Sequence, residues 1–523
     1  MREISRQIEN PFFALESMKG AKELIEATKK IAEAINKLLP DLRLRRYTEP
    51  QVTIVGGFVR DALFGGHPKD ADVEIFGVPP DKLVKILENL FGKDNVNKVG
   101  KSFGVIKVSL GNGLDLDVSI PRIDSHGDGE GHKDIKAKGN PSLSTKEAQR
   151  RRDFTINALS MDVLSGAVMD SFGGVEDLNN KVLRLVDEET FKDDPLRVLR
   201  GVQFVARFGL TVEPKTLSFM KEMVARGALD RLPAERILGE MEKLLTKSEH
   251  PSIGLELMRE LGIIERHFPE LNAFIGCEQD PKYHPEGDVW VHTKLAIDKA
   301  AQLFDKRFPK PEKISKDEYK EIRLAVMLGT LFHDIGKPPT TKREEDGRIH
   351  SFGHEAAGQA PAEAILKRLN VSNNVRDGVL RIIALHSYPN DHYQEYSEKK
   401  MNEKQYKKAV KKCFDKLAIS KDKSFPWQAF LVACEADYFS SGLQDKKPAF
   451  GPLKEITEIV GQEENFDKPV IQGRDVLLLW QEIKGSKRPG GPWVGEIVRV
   501  VREEGIYNSK EALARARELI ENL

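Results

Sequence analysis

The chain has 523 residues with 82 basic and 82 acidic side chains, so its formal net charge is zero. This balance excludes a protein coated in basic charge for indiscriminate binding to nucleic acids, although it leaves room for a local basic face. With 40% hydrophobic and 31% charged residues, the composition is that of a globular protein rather than of a disordered chain or a membrane protein.

The sequence predicts a cytoplasmic protein of several domains. At about 150 residues per domain, its length indicates three or four structural units. No stretch reaches the roughly 18 consecutive apolar residues of a membrane-spanning helix, and the start, MREISRQIENPFF, lacks the apolar core of a signal peptide. Three cysteines without a CxxC pair argue against both disulfides and a cysteine zinc site.

Sheet-forming patterns lie in the first third of the chain. Residues 1–50 carry helical periodicity and predict an N-terminal helical extension. A mixed sheet-and-helix domain is then predicted over 51–186, from the helix PDKLVKILENLF and the short apolar runs VTIVGG, DVEIF, GVIKVSL, LDLDVSI, ALSMDV and VLRLV. Between the later runs, SHGDGEGHKDIKAKGNPSLS has almost nothing to bury and predicts a loop.

The rest of the chain is predicted to be all-helical. From about Glu188, apolar residues recur at spacings of three and four, often after a proline or another breaker. We divide this part into a helical neck at 187–275, a second helical domain at 276–445 and a helical tail at 446–523. The predicted fold class is therefore α+β and multidomain, with a mixed-sheet head followed by helical regions.

The turn VGGFVRD and the following run KDADVEIF carry the first set of chemical groups. Gly56 and Gly57 let backbone N–H groups approach a phosphate closely, and Arg60, one turn into the next helix, can clamp it. Asp70 and Asp72 lie two residues apart at a strand, so their carboxylates face the same side and can hold Mg²⁺ together.

A third carboxylate comes from the run GLDLDVSIPR. Asp117 would face the same site if its strand pairs beside that of Asp72. Three carboxylates suit a site with two metal ions about 3.5 to 4 Å apart, which hold the attacking and leaving oxygens of an in-line displacement. A lone DxD would instead indicate two surface residues at a strand start, but the ordered motifs around this one favour the metal site.

Two further motifs, RRRDFTINAL and DDPLRVLR, complete an ordered series. The series resembles that of the class II tRNA nucleotidyltransferases and bacterial poly(A) polymerases of the polymerase beta superfamily, from about residue 52 to 274. The resemblance implies that Asp70 and Asp72 bind magnesium and that Asp117 assists deprotonation of the primer hydroxyl. It also implies a nucleotide-binding set that consists of Gly56, Gly57, Arg60, Arg152, Asp153, Asn157, Asp194, Arg197 and Arg200.

Within that set, Asp194 and Arg197 match the pair that hydrogen-bonds the Watson–Crick edge of the incoming base, with Arg200 nearby. A carboxylate accepts from an exocyclic amino group while a guanidinium donates to a ring nitrogen or carbonyl, and such pairs give about 1–3 kcal/mol of base discrimination. Two positions depart from the family pattern. Asp193 stands in place of a usual Glu, and Gln203 replaces a common Arg, which removes a positive charge near the nucleotide.

A second set of chemical groups lies in YHPEGDVWVHT, LFHDIGK and EADYF. Imidazoles and carboxylates of this kind bind a divalent transition metal, which activates water near neutral pH. The H…HD…D order consists of His292, His333, Asp334 and Asp437, and we expect His354 and His386 to support a second metal or to contact a phosphate. Scattered histidines are the alternative, but their order favours a metal site.

This second set resembles the HD domain of bacterial tRNA nucleotidyltransferases with phosphatase and 2′,3′-cyclic phosphodiesterase activity. The two resemblances together imply an enzyme that adds CCA to tRNA from CTP and ATP, with Mg²⁺ in the head and a transition metal, Ni²⁺ or Mn²⁺, in the HD domain. Two basic stretches, EKKMNEKQYKKAVKKCFDKLAISKDK and KGSKRPGGPWVGEI, are the candidates for contact with RNA. In the second, Gly490, Gly491 and Trp493 resemble part of the tail of relatives.

Other functions stay open at this point. A poly(A) polymerase, or an enzyme that adds only CC or only A, is the nearest alternative, although Lys101 and Ser102 stand where poly(A) polymerases commonly have an arginine pair. An HD phosphohydrolase whose head merely binds RNA is an alternative of another class. A non-enzymatic RNA-binding module would leave the carboxylates and histidines without a purpose.

Overall fold

The computed structural model describes residues 20–38, 49–65, 70–97, 105–111, 113–126, 135–420, 423–442, 450–462, 471–485, 493–504, 506 and 509–523. They belong to two compact units, Met1–Leu232 and Pro233–Leu523. Within these ranges no helix is both long enough and apolar enough to cross a lipid bilayer. The finer division into five segments stays a prediction.

The first unit is built on a mixed sheet. Its strands are β1 Gln51–Val55, β2 Ala71–Phe76, β3 Val96–Asn97, β4 Val105–Gly111, β5 Leu114–Ser119, β6 Arg122–His126, β7 Ile135–Gly139, β8 Ser160–Asp162, β9 Val168–Met169, β10 Val182–Leu183 and β11 Thr211–Val212. Seven of them form one sheet in the order β3-β4-β5-β2-β1-β8-β9. The pair β2 and β5 is parallel and the other neighbours are antiparallel, so the predicted mixed sheet is confirmed.

Eight helices accompany these strands in the described part of the first unit. They are α1 Ala21–Leu38, α2 Gly57–Leu63, α3 Pro80–Phe91, α4 Thr145–Arg150, α5 Gly174–Asn179, α6 Glu188–Phe191, α7 Leu196–Phe208 and α8 Pro214–Ala225, with 3-10 turns at Lys93–Asn95 and Thr155–Asn157. Leu24, Ile31 and Ile35 of α1 lie in the same apolar core as the strands. This helix is therefore part of the core of the head.

Alternation along β2 decides which side of the sheet carries chemistry. Ala71, Val73 and Ile75 are fully buried in the core, whereas Asp72 points to the opposite face and reaches solvent. Successive side chains of a strand point to opposite faces, so the apolar residues that hold the strand in place also direct the intervening carboxylate outwards.

The run predicted to be a loop is in part a hairpin. Strands β6 and β7 pair antiparallel, with Arg122 opposite Gly139 and His126 opposite Ile135. The pairing satisfies backbone N–H and C=O groups. Most residues of these two five-residue strands are polar or small, so the sequence carries only a weak apolar period. Residues 127–134 between the two strands lie outside the described part of the chain.

The second unit is dominated by helices. They are α9 Ala234–Lys247, α10 Pro251–Glu260, α11 Ile263–His267, α12 Pro269–Asn272, α13 Val289–Arg307, α14 Lys316–Phe332, α15 Lys337–Thr340, α16 His354–Ala357, α17 Gln359–Arg368, α18 Asn373–Leu385, α19 Tyr388–Ser397, α20 Glu403–Lys416, α21 Trp427–Ser440, α22 Gly451–Gln462, α23 Gly473–Lys484, α24 Trp493–Glu503 and α25 Ser509–Glu521. Helix α14 packs against α13, α18 and α21, and α23, α24 and α25 share a separate small core.

Short ladders interrupt the part of the chain that was predicted to be all-helical. In the first unit, strand β10 pairs in parallel with β11, which lies in the predicted helical neck. In the second unit, β12 Lys342–Arg343 pairs with β13 Ile349–His350, and β14 Ala418–Ser420 pairs with β15 Lys423–Ser424. Strand β10 lies in the predicted run VLRLV of the head. The other strands are two or three residues long, too short for a periodic pattern to appear in the sequence.

Candidate functional site

Three carboxylates of the head come together through strand pairing. In the parallel ladder of β2 and β5, Asp72 is the direct partner of Asp117. Asp70 immediately precedes β2 and is two residues from Asp72. All three side chains are exposed on the sheet face that does not carry the core, so the expected alignment of Asp117 with the DxD pair is present.

Negative charge accumulates at this face. Partial desolvation raises the pKa of Asp72, and the neighbouring carboxylates Asp117 and Asp70 raise it further against the opposing charge of Arg152. Glu74, two residues after Asp72, lies on the same face with an oxygen 4.0 Å from Nη2 of Arg152. We did not predict a role for Glu74, although the period-two spacing of DVE was visible in the sequence.

The donor set of this face fits magnesium. Carboxylate oxygens are the ligands that Mg²⁺ takes from proteins, together with water and substrate phosphates. A divalent cation would offset the repulsion that Asp72 experiences from Asp70 and Asp117. Asp70, Asp72 and Asp117 are therefore the residues that could hold the ion.

The Gly56–Gly57 turn connects β1 to α2 beside these carboxylates. Gly56 has φ 69° and ψ −126°, a conformation that favours glycine strongly. A Cβ atom on Gly56 would lie 2.9 Å from Nη1 of Arg152. The glycine thus permits both the sharp turn and the close approach of the Arg152 guanidinium to the backbone.

Arg60 faces the interior of the head. Its Nη1 donates to Oδ1 of Asn157 at 2.6 Å, and its Nε and Nη2 donate to Oδ1 of Asp61. The guanidinium also lies 5.1 Å and 4.7 Å from the ring centroids of Phe204 and Phe208. Direct contact with a phosphate would require Arg60 to exchange these partners.

Two hydrogen bonds and an ion pair connect Arg60 to Arg200 through Asn157 and Asp153. Asn157 donates from Nδ2 to Oδ1 of Asp153 at 2.9 Å, and Oδ2 of Asp153 lies 3.2 Å from Nη2 of Arg200. Burial alone would raise the pKa of Asp153, but the charge of Arg200 and the hydrogen bond from Asn157 outweigh it and lower that pKa. Four residues implied by the resemblance are thus joined in space.

The two residues expected to read the base lie at the N-terminal end of α7, with Asp194 two residues before the helix and Arg197 in its first turn. Asp194 accepts from the backbone N–H of Leu196 at the start of the helix. Arg197 donates to the carbonyl oxygens of Thr190 and Arg151, each at 2.7 Å, which holds its guanidinium in one orientation.

Gln203 lies further along α7 and is buried. It accepts from Nη1 of Arg207 at 2.9 Å, so a neutral amide and an arginine one turn later occupy the region where the family commonly has an additional arginine.

The second unit gathers the predicted histidines into one cluster. Nε2 of His292 lies 3.2 Å from Nε2 of His333 and 3.0 Å from Oδ1 of Asp437. Nε2 of His354 lies 3.3 Å from Nε2 of His386. The described residues contain three groups of potential metal ligands with donor atoms within 4.8 Å of one another, and all three include His292 or His333.

Asp334 lies between the two pairs of histidines. Its Oδ2 is 3.3 Å from Nε2 of His333, and its Oδ1 is 3.4 Å from Nε2 of His354 and 3.9 Å from Nε2 of His386. The carboxylate is buried, and Nζ of Lys337 lies 2.8 Å from its Oδ2, whereas Oδ1 faces the His354–His386 pair and has no hydrogen-bond partner among the described residues. A cation near Oδ1 would offset this buried charge, and the surrounding Nε2 atoms could hold it.

A hydrogen bond at Nδ1 fixes the orientation of each imidazole. Nδ1 of His333, His354 and His386 donates to the backbone carbonyls of Thr330, Ser351 and Ile383, and Nδ1 of His292 donates to Oε1 of Glu286. In the neutral imidazole, each Nε2 is then left with a lone pair that points towards the cluster. Two lone pairs 3.2 Å apart repel each other unless a proton or a metal ion lies between them, so the donor set fits a metal.

The pKa values of His333 and His386 reflect the carboxylates and imidazoles around them. Burial opposes protonation of His333, yet the charges of Asp334 and Asp437 raise its pKa to about 10. Burial and the positive charge of His333 lower the pKa of His386 to about 4. The excess of negative charge that favours a proton on His333 would equally favour a cation.

Two residues of this site were not predicted. Glu286 accepts from Nδ1 of both His284 and His292, and its other oxygen accepts from the N–H of Gly442 at 2.9 Å. Lys337 places Nζ 2.8 Å from Oδ2 of Asp334. Glu286 belongs to the quoted run YHPEGDVWVHT and Lys337 to LFHDIGK, so their closeness to ligands in sequence was the available signal.

The basic stretches differ in how far they can be described. In α20, Lys411 is buried and lies 3.5 Å from Asp415, so this part of the run at 398–423 is not a uniform solvated face. Gly490 and Gly491 lie outside the described residues, as do Lys101 and Ser102. Trp493 begins α24 and is exposed. Contact with RNA at either stretch stays a prediction.

Three protein families match the chain. Residues 52–184 match the poly A polymerase head domain, residues 209–275 the probable RNA and SrmB-binding site of polymerase A, and residues 292–418 the HD domain. The multifunctional CCA protein of Actinobacillus pleuropneumoniae serotype 5b (strain L20) is 34% identical over 390 residues, which cover 74% of this chain and 85% of that protein.

Solved structures of similar fold are CCA-adding enzymes. The Thermotoga maritima CCA-adding enzyme complexed with tRNA has a TM-score of 0.54 at 16% identity, over 98% of this chain and 99% of that chain. An apo form of a CCA-adding enzyme has a TM-score of 0.57 at 17% identity, over 96% of each chain. These likenesses support the predicted fold of a mixed-sheet head followed by helical regions.

Proposed function

The chain belongs to the family of multifunctional CCA proteins, and we propose that it adds CCA to the 3′ end of tRNA, with CTP and ATP as substrates. The observation that carries this proposal is the pairing of Asp72 with Asp117, beside Asp70 and the Gly56–Gly57 turn. These groups form one exposed face where a triphosphate and a primer end can meet.

In the proposed reaction, the oxygen of the tRNA 3′-hydroxyl forms a bond with the α-phosphorus of the nucleotide. The bond from that phosphorus to the oxygen that bridges the α- and β-phosphates breaks, and pyrophosphate leaves with that oxygen. We assign acceptance of the hydroxyl proton to Asp117, the partner of Asp72 in the ladder. Magnesium held by Asp70 and Asp72 would offset negative charge on the reacting oxygens.

The nucleotide is bound by two connected groups of residues in this proposal. Gly56, Gly57 and Arg152 contact the triphosphate, because the turn and the guanidinium lie against each other beside the carboxylates. Arg60 acts through Asn157 and Asp153, to which it is linked by hydrogen bonds. Asp153 in turn orients Arg200.

Base selection is assigned to Asp194 and Arg197, with Arg200 nearby. The two carbonyl contacts of Arg197 leave its remaining N–H groups in a fixed direction, which favours selection of C and A by hydrogen-bond pattern. A cytoplasmic location belongs to this proposal, because tRNA maturation supplies the substrate there.

We further propose that the second unit is a metal-dependent phosphohydrolase, acting as a phosphatase or a 2′,3′-cyclic phosphodiesterase. The supporting observation is the position of Asp334 between the His292–His333 pair and the His354–His386 pair. One metal would be held by His292, His333, Asp334 and Asp437, and a second by Asp334, His354 and His386. Nickel or manganese suits such a set of nitrogen and oxygen donors.

Paired variants test whether the two chemistries are separate. Asp70→Asn should abolish nucleotide addition and leave phosphohydrolase activity intact, whereas His333→Ala should do the reverse. Asp94→Asn, an exposed position in the 3-10 turn Lys93–Asn95, is the matched control for the head. Unchanged addition by Asp70→Asn would refute the magnesium site, and loss of addition in His333→Ala would refute the separation.

The product of addition tests the specificity. The enzyme is offered tRNA that ends at the discriminator nucleotide, at C or at CC, with each nucleotide supplied separately. Addition of C, then C, then A, with no further extension, is the expected result. Repeated addition of A would instead indicate a poly(A) polymerase, and a stop after CC or a requirement for CC would indicate a partial enzyme.

A further inference from the structure

A cleft opens beside the histidine cluster of the second unit. Its volume is about 300 Å³, and its lining includes His354, Lys337, Tyr283 and Phe352. His354 and Lys337 both contact Asp334. The cleft therefore joins the proposed site of phosphate hydrolysis to two aromatic rings.

These rings are unusually accessible. Phe352 is 81% exposed, the highest value for a large apolar side chain in the part of the chain that the structure describes, and Tyr283 is 62% exposed. An exposed phenylalanine buries little area and therefore adds little to folding stability. Two such rings in one cleft indicate a surface that binds a flat apolar group.

The ring of Phe352 is held in place. It stacks on the imidazole of His350, with ring centroids 4.3 Å apart and an angle of 23° between the planes. Nε2 of His350 lies 2.5 Å from Oε1 of Glu344, which anchors the imidazole from the other side. Phe352 therefore presents its free face without a need for ordering on binding.

The same segment fixes the histidine cluster. The carbonyl of Ser351, the residue before Phe352, accepts from Nδ1 of His354. Phe352 and His354 thus belong to the same short segment of backbone. A ligand stacked on Phe352 would have its other end directed to the cluster that we assign to phosphate hydrolysis.

We propose that Phe352, supported by His350, stacks on the nucleobase of the substrate of the second unit. The site would then prefer nucleoside phosphates, including the 3′-terminal nucleotide of an RNA, over phosphate esters that lack a base. Base–aromatic stacking tolerates any base because every base has a flat face. This inference rests on the proposed phosphohydrolase function.

The test compares two esters of secondary alcohols, 2′-AMP and glycerol 2-phosphate, with the full-length enzyme and added Mn²⁺ or Ni²⁺. Phe352→Ala should raise KM for 2′-AMP about tenfold, which corresponds to about 1.4 kcal/mol and lies within the range of base–aromatic stacking. The kcat for 2′-AMP and both constants for glycerol 2-phosphate should stay within about twofold. Phe352→Trp should restore the KM, and Leu478→Ala, an exposed apolar position in α23, is the matched control.

Equal losses with both esters would overturn the proposal, since they would mean that Phe352 only supports the backbone around His354. No loss with either ester would overturn it as well. If the wild-type protein hydrolyses neither ester, the hydrolase function fails, and equilibrium dialysis with labelled 2′-AMP decides the stacking. Binding of 2′-AMP about tenfold weaker in Phe352→Ala would support stacking, and equal binding would refute it. Any 2′-AMP bound by the head is the same in both proteins and does not affect the comparison.

Discussion

Substitution of Gly56 by alanine separates the function of the Gly56–Gly57 turn from its contribution to stability. At φ 69° and ψ −126°, an alanine is strained by about 1–3 kcal/mol. Its Cβ atom would also lie 2.9 Å from Nη1 of Arg152, so the guanidinium must move away from the turn. We expect lower stability together with a raised KM for CTP and ATP and a lower rate of addition.

Gly65 offers a matched control for the backbone effect. It has φ 77°, and a Cβ atom there would meet no heavy atom within 4 Å. Gly65→Ala should therefore lower stability by a similar amount, about 1 kcal/mol or more, without displacing any side chain of the site.

The assay combines urea unfolding with steady-state addition of CTP to tRNA that lacks CCA. If Arg152 contacts the triphosphate, its displacement should cost about 1.5–3 kcal/mol, the value of a charge-assisted hydrogen bond, or roughly 10- to 150-fold in kcat/KM. Gly65→Ala should retain nearly full activity. A Gly56→Ala variant that is destabilised like Gly65→Ala, yet keeps the kcat/KM of the wild type for CTP, would refute the proposed role of the turn and Arg152.

Three further predictions concern residues that act through others. Asn157→Ala removes the link between Arg60 and Asp153 and leaves the buried Arg60 guanidinium with one acceptor fewer. We expect the free energy of unfolding to fall by about 1–3 kcal/mol and nucleotide binding to weaken. An unchanged KM for the nucleotide would contradict the proposed role of Asn157. Glu286→Gln should weaken metal binding by about 10- to 100-fold in a chelator competition, with Glu278→Gln as the exposed control and with nucleotide addition intact. Because the pKa of Asp153 is lower in the folded state than in the unfolded chain, its ionisation stabilises the fold above about pH 4 and this contribution is lost as the pH falls through the folded-state pKa. The urea midpoint of Asp153→Asn should therefore lie below that of the wild type at pH 7 and approach it below about pH 4, and a constant difference would contradict this.

Most of the large elements were predictable because their side chains repeat with the period of the element. The apolar alternation of β2 and the spacing of PDKLVKILENLF each contain enough residues to define a buried face. The hairpin of β6 and β7 escaped prediction because most of its residues are polar or small in the sequence. The ladder of β12 and β13 escaped it because two-residue strands are too short for a period to show.

Among the site residues, too, those that belong to short local motifs were predictable. The DxD pair and the adjacent His333 and Asp334 were visible as motifs, since their members lie within one or two residues of each other. Arg60 shows the limit of this approach. The family pattern points to a phosphate contact, whereas the structure gives its guanidinium to Asn157 and Asp61 and to the faces of two phenylalanine rings.

The amino-acid sequence alone was enough to identify two sets of chemical groups, their order along the chain and the faces on which neighbouring carboxylates lie, because these depend on spacing within single elements. The pairing of Asp72 with Asp117 was decided by strand register, and the position of Asp334 between two pairs of histidines was decided by the packing of α13, α14, α18 and α21. Such contacts depend on how separate elements close on one another, and no local period in the sequence encodes that closure.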